Sequence, residues 1–282
     1  NFFTMIIADT GGWAGAGFGN RLLLLNNVLQ LSHFSGHQVY FTNFTGLDIF
    51  KQIKGMVPQL PEMTIHHTLT PQELLDTPKE DLKLQPNLNY KLENATLFEL
   101  FFKFSDLSTF DLFSQIKPNI TSDKINVGVH FRGRDFKIWD PKCLLDESYY
   151  INAIKFVIEE VKENFELTLY YDDIRLDSFK SVVKWLDDSK IGYSRGEITD
   201  RFNPSNWGQG DFFGLSQCDY IISSPSTFCV TAAMCGKKNK KIVHSKDFIV
   251  GYKLNTDYFR DIFWKTLYQT GGNNDYKLYK LI

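Results

Sequence analysis

Cysteine is sparse in this sequence and shows no paired spacing. Four cysteines occur among 282 residues, at Cys143, Cys218, Cys229 and Cys235, with no C-x-x-C spacing. That excludes a written zinc or dithiol redox motif. Three of the four lie in apolar segments and read as small core residues. Long apolar runs are also missing: none approaches the ~18–20 residues of a helical membrane span. No single sign of charge dominates, since 31 Lys and Arg face 33 Asp and Glu for a net charge of −2. No basic field advertises nucleic acid. There is no fixed-period internal repeat. No G-x-S-x-G elbow is present, which removes the usual sequence mark of an α/β-hydrolase nucleophile. No signal peptide is visible from Asn1 onward, a start that says nothing of what precedes it. Asn43-Phe-Thr45, Asn94-Ala-Thr96 and Asn119-Ile-Thr121 fit the glycosylation triplet, a pattern too short to locate the protein.

What is present is an ordinary globular composition, 43% apolar and 23% charged. The length allows one large domain or two moderate ones. The N-terminal part reads as strand Thr4 to Ala8, a glycine-rich loop from Gly11 to Asn20, a helix from Arg21 to Phe34 and a strand from Val39 to Phe41. This is a Rossmann-like βαβ unit. Gly17 and Gly19 allow close backbone approach to a ligand at the helix start. Leu22 stands where a third fingerprint glycine would be, so the dinucleotide pattern is incomplete. A surface loop fits the same glycines.

Residues 48–119 hold six of the nine prolines and read as the irregular remainder of a first domain, with short helices at Pro71-Gln-Glu-Leu and Ala95 to Phe104. Residues 118–124 read as a linker. We therefore place an N-terminal domain at 1–120 and a C-terminal domain at 121–282.

The second half alternates strands with helices. Ile125, Val127 and Val129 mark a buried strand. Helices are expected at 147–161, 176–186, 210–217 and 227–234, and strands at 166–171, 219–223 and 241–244. That alternation predicts a mostly parallel sheet covered on both faces. The Lys-rich turn 236–241 reads as a solvated loop.

Three strands end in polar clusters: His130 to Asp135, Asp172-Asp173, and Ser224 to Thr227. In a parallel sheet these carboxyl ends share one edge, where ligands of open α/β sheets sit. Arg132 offers a planar fork suited to phosphate oxygens. Asp135 suits holding that fork or binding a ligand hydroxyl. The set fits a nucleotide diphosphate. The same charges also fit an ordinary strand end with a surface ion pair.

His130, Arg132 and Asp135 spell H-x-R-x-x-D after a strand. In this the chain resembles the fucosyltransferase superfamily of α1,2-, α1,6- and protein O-fucosyltransferases. Many members carry a second arginine directly after the first, whereas here Gly133 intervenes and Arg134 follows. YYDDI at Tyr170–Ile174 is similar to the family's second motif, and Gly210 to Ala233 to its third. GFGNR at Gly17–Arg21 resembles the opening glycine loop. The four matches come in the family's order and leave residues 48–119 uncovered.

The resemblance implies an α/β fold of GT-B type, with two Rossmann-like domains whose parallel sheets face a central cleft. It implies inverting transfer of L-fucose from GDP-fucose to a glycan hydroxyl, with no cofactor and no metal. Arg132 would bind the diphosphate, with His130 and Arg134 beside it. Asp211 would read guanine, and Asp172 and Asp173 would lie near the nucleoside. Ser226, Thr227 and Phe228 would touch the phosphates or the sugar. Gly17, Gly19, Asn20 and Arg21 would face the cleft. Asp140 stands five places after Asp135, where the α1,6-type enzymes place their proposed base. Asp135, Glu147 and Asp9 compete for that role.

Two other readings stay open: a glycosyltransferase using a different nucleotide sugar, including one with Asp172-Asp173 as metal ligands, and a non-catalytic nucleotide- or glycan-binding domain of the same fold. The expected partners are a nucleotide sugar and a glycan acceptor, with no nucleic acid. No membrane span is expected, which leaves peripheral membrane association open. The cytoplasm is the expected compartment for a bacterial protein and the Golgi or ER lumen for a eukaryotic one, with the cytoplasm favoured.

Overall fold

The structure is a computed structural model that describes residues 5–9, 19, 38–42, 67–69, 73, 89–92, 123–133, 136–139, 141, 144–162, 164–196, 209–234, 240–245 and 277–281. The chain divides into two compact units, Asn1–Leu112 with Phe202–Trp207, and Phe113–Arg201 with Gly208–Ile282.

The first unit holds a parallel sheet of β1 (Met5–Asp9), β2 (Gln38–Thr42), β3 (His67–Leu69) and β4 (Asn89–Leu92), in the order β2-β1-β4-β3. β1 is central because its apolar MIIA run suits burial on both faces, and Ile6 and Ile7 are buried. β3 and β4 correct the expectation of an irregular region at 48–119. They are three and four residues long, too short to show alternation. Glu73 is helical, as expected of Pro71-Gln-Glu-Leu, and Gly19 is helical and buried. The expected helices at 21–34 and 95–104 lie outside the described residues.

The second unit is built on β5 (Ile125–Phe131), β6 (Phe165–Tyr171), β7 (Ser194–Arg195), β8 (Tyr220–Ile222), β9 (Lys241–Ser245) and β10 (Lys277–Leu281). Its order is β10-β9-β8-β5-β6-β7 and every pairing is parallel. The expected α/β class, with a parallel sheet in each of two units, is thus present. β10 lies beyond the strand read as the last. With two lysines in five residues it has the composition of an edge strand.

The connecting helices are α1 (Phe136–Trp139), α2 (Glu147–Val161), α3 (Asp177–Asp188), α4 (Gln209–Ser216) and α5 (Thr227–Met234). α2 starts where it does because Asp146, in extended conformation, accepts a hydrogen bond from the Tyr149 N–H at 2.9 Å. That satisfies one of the donors a helix start leaves open. Tyr150, Ala153, Ile154 and Val157 form its buried stripe, and Phe179, Val182 and Leu186 that of α3. Both stripes follow the helical period. They pack on Val127, Val129, Phe131, Leu167, Leu169 and Ile222 of the sheet. Burial of each Val, Leu, Ile or Phe side chain among these contributes about 1.5–3 kcal/mol.

The opposite sheet face carries Gly128, His130 and Tyr170. Here α4 comes close: a Cβ on Gly128 would lie 2.7 Å from Cys218 Sγ and 3.1 Å from Leu215 Cδ2. Glycine in the central strand is therefore a packing requirement. Cys218 and Cys229 are buried core residues, as expected, and burial pushes the Cys229 thiol up to about 12. Cys143 and Cys235 lie outside the described residues.

The Lys-rich turn departs from its expectation at Lys240. That residue is fully buried, and its Nζ donates to the carbonyls of Ala232 and Ala233, each at 3.2 Å. A cation at a helix C-terminus meets the negative pole of the helix dipole and the carbonyls that lack helical partners. Among the described residues no helix is long and apolar enough to cross a membrane.

Candidate functional site

The strand order sets the place. From β5 the chain moves to β6 and β7 on one side, then returns to β8, β9 and β10 on the other. The switch point falls between β5 and β8, and ligands of open α/β sheets bind outside the carboxyl ends of strands at such a point. The polar clusters that end β5, β6 and β8 all lie at that edge, because the three strands are parallel neighbours.

Arg132 follows the last residue of β5. Its Nη1 lies 3.2 Å from Asp172 Oδ2, with the arginine side chain 28% exposed and the aspartate 3%. The other carboxylate oxygen of Asp172 accepts from the Gly133 N–H at 3.0 Å. The Asp172 N–H itself donates to the Phe131 carbonyl at 3.3 Å. A carboxylate this buried needs a cation and hydrogen-bond donors around it, and it has both. The guanidinium also lies over the Phe136 ring, 5.6 Å from its centroid, a cation–π contact. A guanidinium carries five donors in one plane, so a held edge and a covered face fix where the others point.

Gly133 stands where many members of the resembled family carry a second arginine. It is buried, and a Cβ there would fall 2.2 Å from Leu176 Cδ2 and 3.1 Å from Leu144 Cδ2. A side chain at this position would require the Leu176 side chain to move aside.

His130 joins β5 to β8. Its Nδ1 and Ser224 Oγ lie 2.6 Å apart, a buried hydrogen bond whose donor follows from the imidazole tautomer. The imidazole stacks on Phe228 at 5.4 Å and 21°, and Phe228 meets Phe212 of α4 edge-on at 5.6 Å. Phe228 thus packs between His130 and α4. Ser226 turns the chain into α5. Its N–H donates to the Ser224 carbonyl at 2.7 Å, and its Oγ accepts from the Phe228 N–H at 3.3 Å. Thr227 opens the helix. The positive pole of α5 therefore starts at the carboxyl end of β8, where an anion is favoured.

Asp211 lies in the first turn of α4 and is 3% exposed. A Cβ on Gly196 would come 2.9 Å from Asp211 Oδ1 and 2.6 Å from Tyr170 Cδ1. A Cβ on Gly214 would come 2.5 Å from Tyr170 Oη. Two bare glycines thus clamp the Tyr170 ring beside the Asp211 carboxylate, and burial pushes the Tyr170 phenol above its usual range. Tyr170 stays neutral at physiological pH. Its ring was legible only as part of YYDDI. Gly196 lies outside every motif, and no sequence signal marks it.

Asp173 turns away to a different task. Arg175 donates to it from Nε at 2.9 Å, from Nη2 at 3.2 Å and from its backbone N–H at 2.9 Å. The Arg175 side chain holds this carboxyl below its ordinary value. The pair shapes the turn into α3. Among the described residues no three His, Cys, Asp or Glu side chains gather as metal ligands.

The structure therefore brings His130, Arg132, Asp172, Ser226 and Phe228 to one sheet edge, with Asp211 beside the end of β6. Glu147 is the exposed first residue of α2. Asp9 ends β1, in the first unit. Arg134, Asp135, Asp140, Gly17, Asn20 and Arg21 lie outside the described residues.

No protein-family model matches the chain, and no curated protein matches it. Among solved structures it is similar to ADP-heptose LPS heptosyltransferase II of E. coli, at 7% identity over 99% of this chain and 91% of that one, with a TM-score of 0.45. A likeness that loose identifies neither a donor nor a reaction.

Proposed function

We propose that this chain is a glycosyltransferase of GT-B type that transfers L-fucose, with inversion, from GDP-fucose to a glycan hydroxyl. The observation that carries the reading is Arg132, held by Asp172 at the switch point and set at the same sheet edge as the start of α5. Breaking a glycosyl–phosphate bond leaves negative charge on the departing nucleotide. A fixed guanidinium and helix N–H groups suit that charge, because they need no reorganisation as it develops. The four motifs in family order add the choice of donor: Asp211 would accept from the guanine ring, and Arg132 would bridge the phosphates.

In this reading a carboxylate takes the acceptor proton as general base, and Asp140 is the first candidate, ahead of Asp135. Asp172 and Asp173 are engaged by Arg132 and Arg175, so the reading assigns the phosphate charge to protein groups. Chelation is expected to leave transfer intact. Loss with EDTA and recovery with Mn²⁺ would move the assignment to metal-assisted transfer.

The deciding experiment is a thermal-shift series with nucleoside diphosphates, then a glycan-acceptor assay with the sugar form of whichever binds. A ligand bound by the native state alone raises Tm by mass action. GDP is expected to raise it well above UDP and ADP. Equal shifts would remove the guanine-reading role of Asp211, and a preference for another base would name another donor. Nucleotide binding without any transfer would favour a binding domain.

A further inference from the structure

We propose that Asp172 is a positioning residue for Arg132, and that whatever it contributes to ligand binding passes through that guanidinium rather than through contact with the nucleoside. The inference rests on the reading of this edge as a nucleotide-diphosphate site, and it departs from the place near the nucleoside that the family resemblance gives Asp172.

Three contacts carry it. One carboxylate oxygen takes Arg132 Nη1 at 3.2 Å. The other takes the Gly133 N–H at 3.0 Å. The Asp172 backbone N–H extends the β5–β6 ladder by one bond to Phe131. Both oxygens thus face the segment that follows β5, and the side chain is 3% exposed while its partner is 28% exposed. The guanidinium is the member of the pair that a ligand can reach, and the buried carboxylate is placed to lock its direction. The Phe136 ring at 5.6 Å lies against the same guanidinium. Leu176, which directly precedes α3, closes over Gly133. The segment from Phe131 to Gly133 is therefore fixed by its backbone as well as by its charge.

Asp172→Asn separates these roles. The amide keeps a carbonyl oxygen for the Gly133 N–H and loses the negative charge opposite Arg132. A double-mutant cycle on GDP affinity by calorimetry, over wild type, Asp172→Asn, Arg132→Ala and the double variant, reads the coupling. We expect Asp172→Asn to weaken GDP binding about tenfold in the wild-type background and to change nothing once Arg132 is gone. An equal loss in both backgrounds would overturn the proposal, since Asp172 would then touch the ligand itself.

A nucleotide-free measurement keeps this separate from the donor reading. The Arg132 Nε–H resonance is expected to be a single sharp line in wild type and to broaden in Asp172→Asn. An unchanged line in that variant would overturn the positioning role whether or not GDP binds. Failure of wild type to bind GDP beside a resonance that broadens in the variant would sink the donor assignment and leave the positioning role standing. If Asp172→Asn does not fold, Asp172→Glu, which sets the charge one methylene too far out, takes its place in both measurements with the same outcomes.

Discussion

His130 and Ser224, 94 positions apart, share a buried hydrogen bond of 2.6 Å. It ties the carboxyl end of β5 to that of β8 across the point where the strand order reverses. The bond fixes the imidazole that Phe228 stacks upon, and so couples the start of α5 to the strand that delivers Arg132.

Arg132 is expected to act on binding and on chemistry together, because charge on the diphosphate grows toward the transition state. Arg132→Lys keeps the charge and loses the planar fork, so it should not rescue. A fall in kcat/KM on the order of 10²-fold or more is expected, similar to removing a preorganised donor. Transfer kinetics beside GDP calorimetry check this. Tight GDP binding by Arg132→Ala would remove the basis of the reading.

Asp140→Asn is nearly isosteric and deletes a proton acceptor alone. If Asp140 is the general base, GDP affinity should persist while transfer falls by roughly 10²–10⁴-fold. Near-normal transfer would pass the role to Asp135 or Glu147, tested in the same way.

Asp146 gives a prediction on pH. Its carboxyl is held below the ordinary value chiefly by the Tyr149 N–H, with the Ser148 hydroxyl second. A depressed carboxyl stabilises the fold above its unfolded pKa and loses that contribution as pH falls through the folded value. Asp146→Ala should cost about 1 kcal/mol at neutral pH, the usual effect of losing an N-cap. The gap between the two proteins should begin to narrow only once pH falls below the ordinary aspartate value of about 3.9. Urea unfolding at several pH values measures it, and a gap independent of pH would show that the charge plays no part.

Lys240→Met keeps the chain length and removes the ammonium from the end of α5. Two buried carbonyls lose a charged donor, for an expected loss of about 2–4 kcal/mol in unfolding free energy. The benefit of no longer burying a cation offsets part of this. A change within about 0.5 kcal/mol would mean that the ammonium contributes nothing net.

The elements legible in the sequence were those whose own residues decide them. The apolar residues at helical spacing between Glu147 and Val161 mark α2, whose buried stripe runs from Tyr150 to Val157. Gly128 and the alternating valines mark β5. The elements that escaped are short strands recruited by a neighbour: β7 has two residues, β3 three, and β10 is aligned by β9. Lys240 escaped because its sequence surroundings are those of a solvated turn, while its burial is decided by the end of α5. Within the site, the strand-end residues were legible one cluster at a time. Which carboxylate faces Arg132 was not, because Asp172 comes from the adjacent strand and a single strand does not encode its neighbour.

The central position of β5 has a consequence for how the unit folds. Its two neighbours arrive at very different times along the chain. The contact from Gly133 to Asp172 spans 39 positions, and the one from His130 to Ser224 spans 94. Loop closure grows costlier with span, and contacts distant in sequence slow folding. The half of the edge that orients Arg132 can therefore form with β5 and β6 alone. The half that brings the start of α5 waits for β8, so the two halves of one site form through closures of very different span.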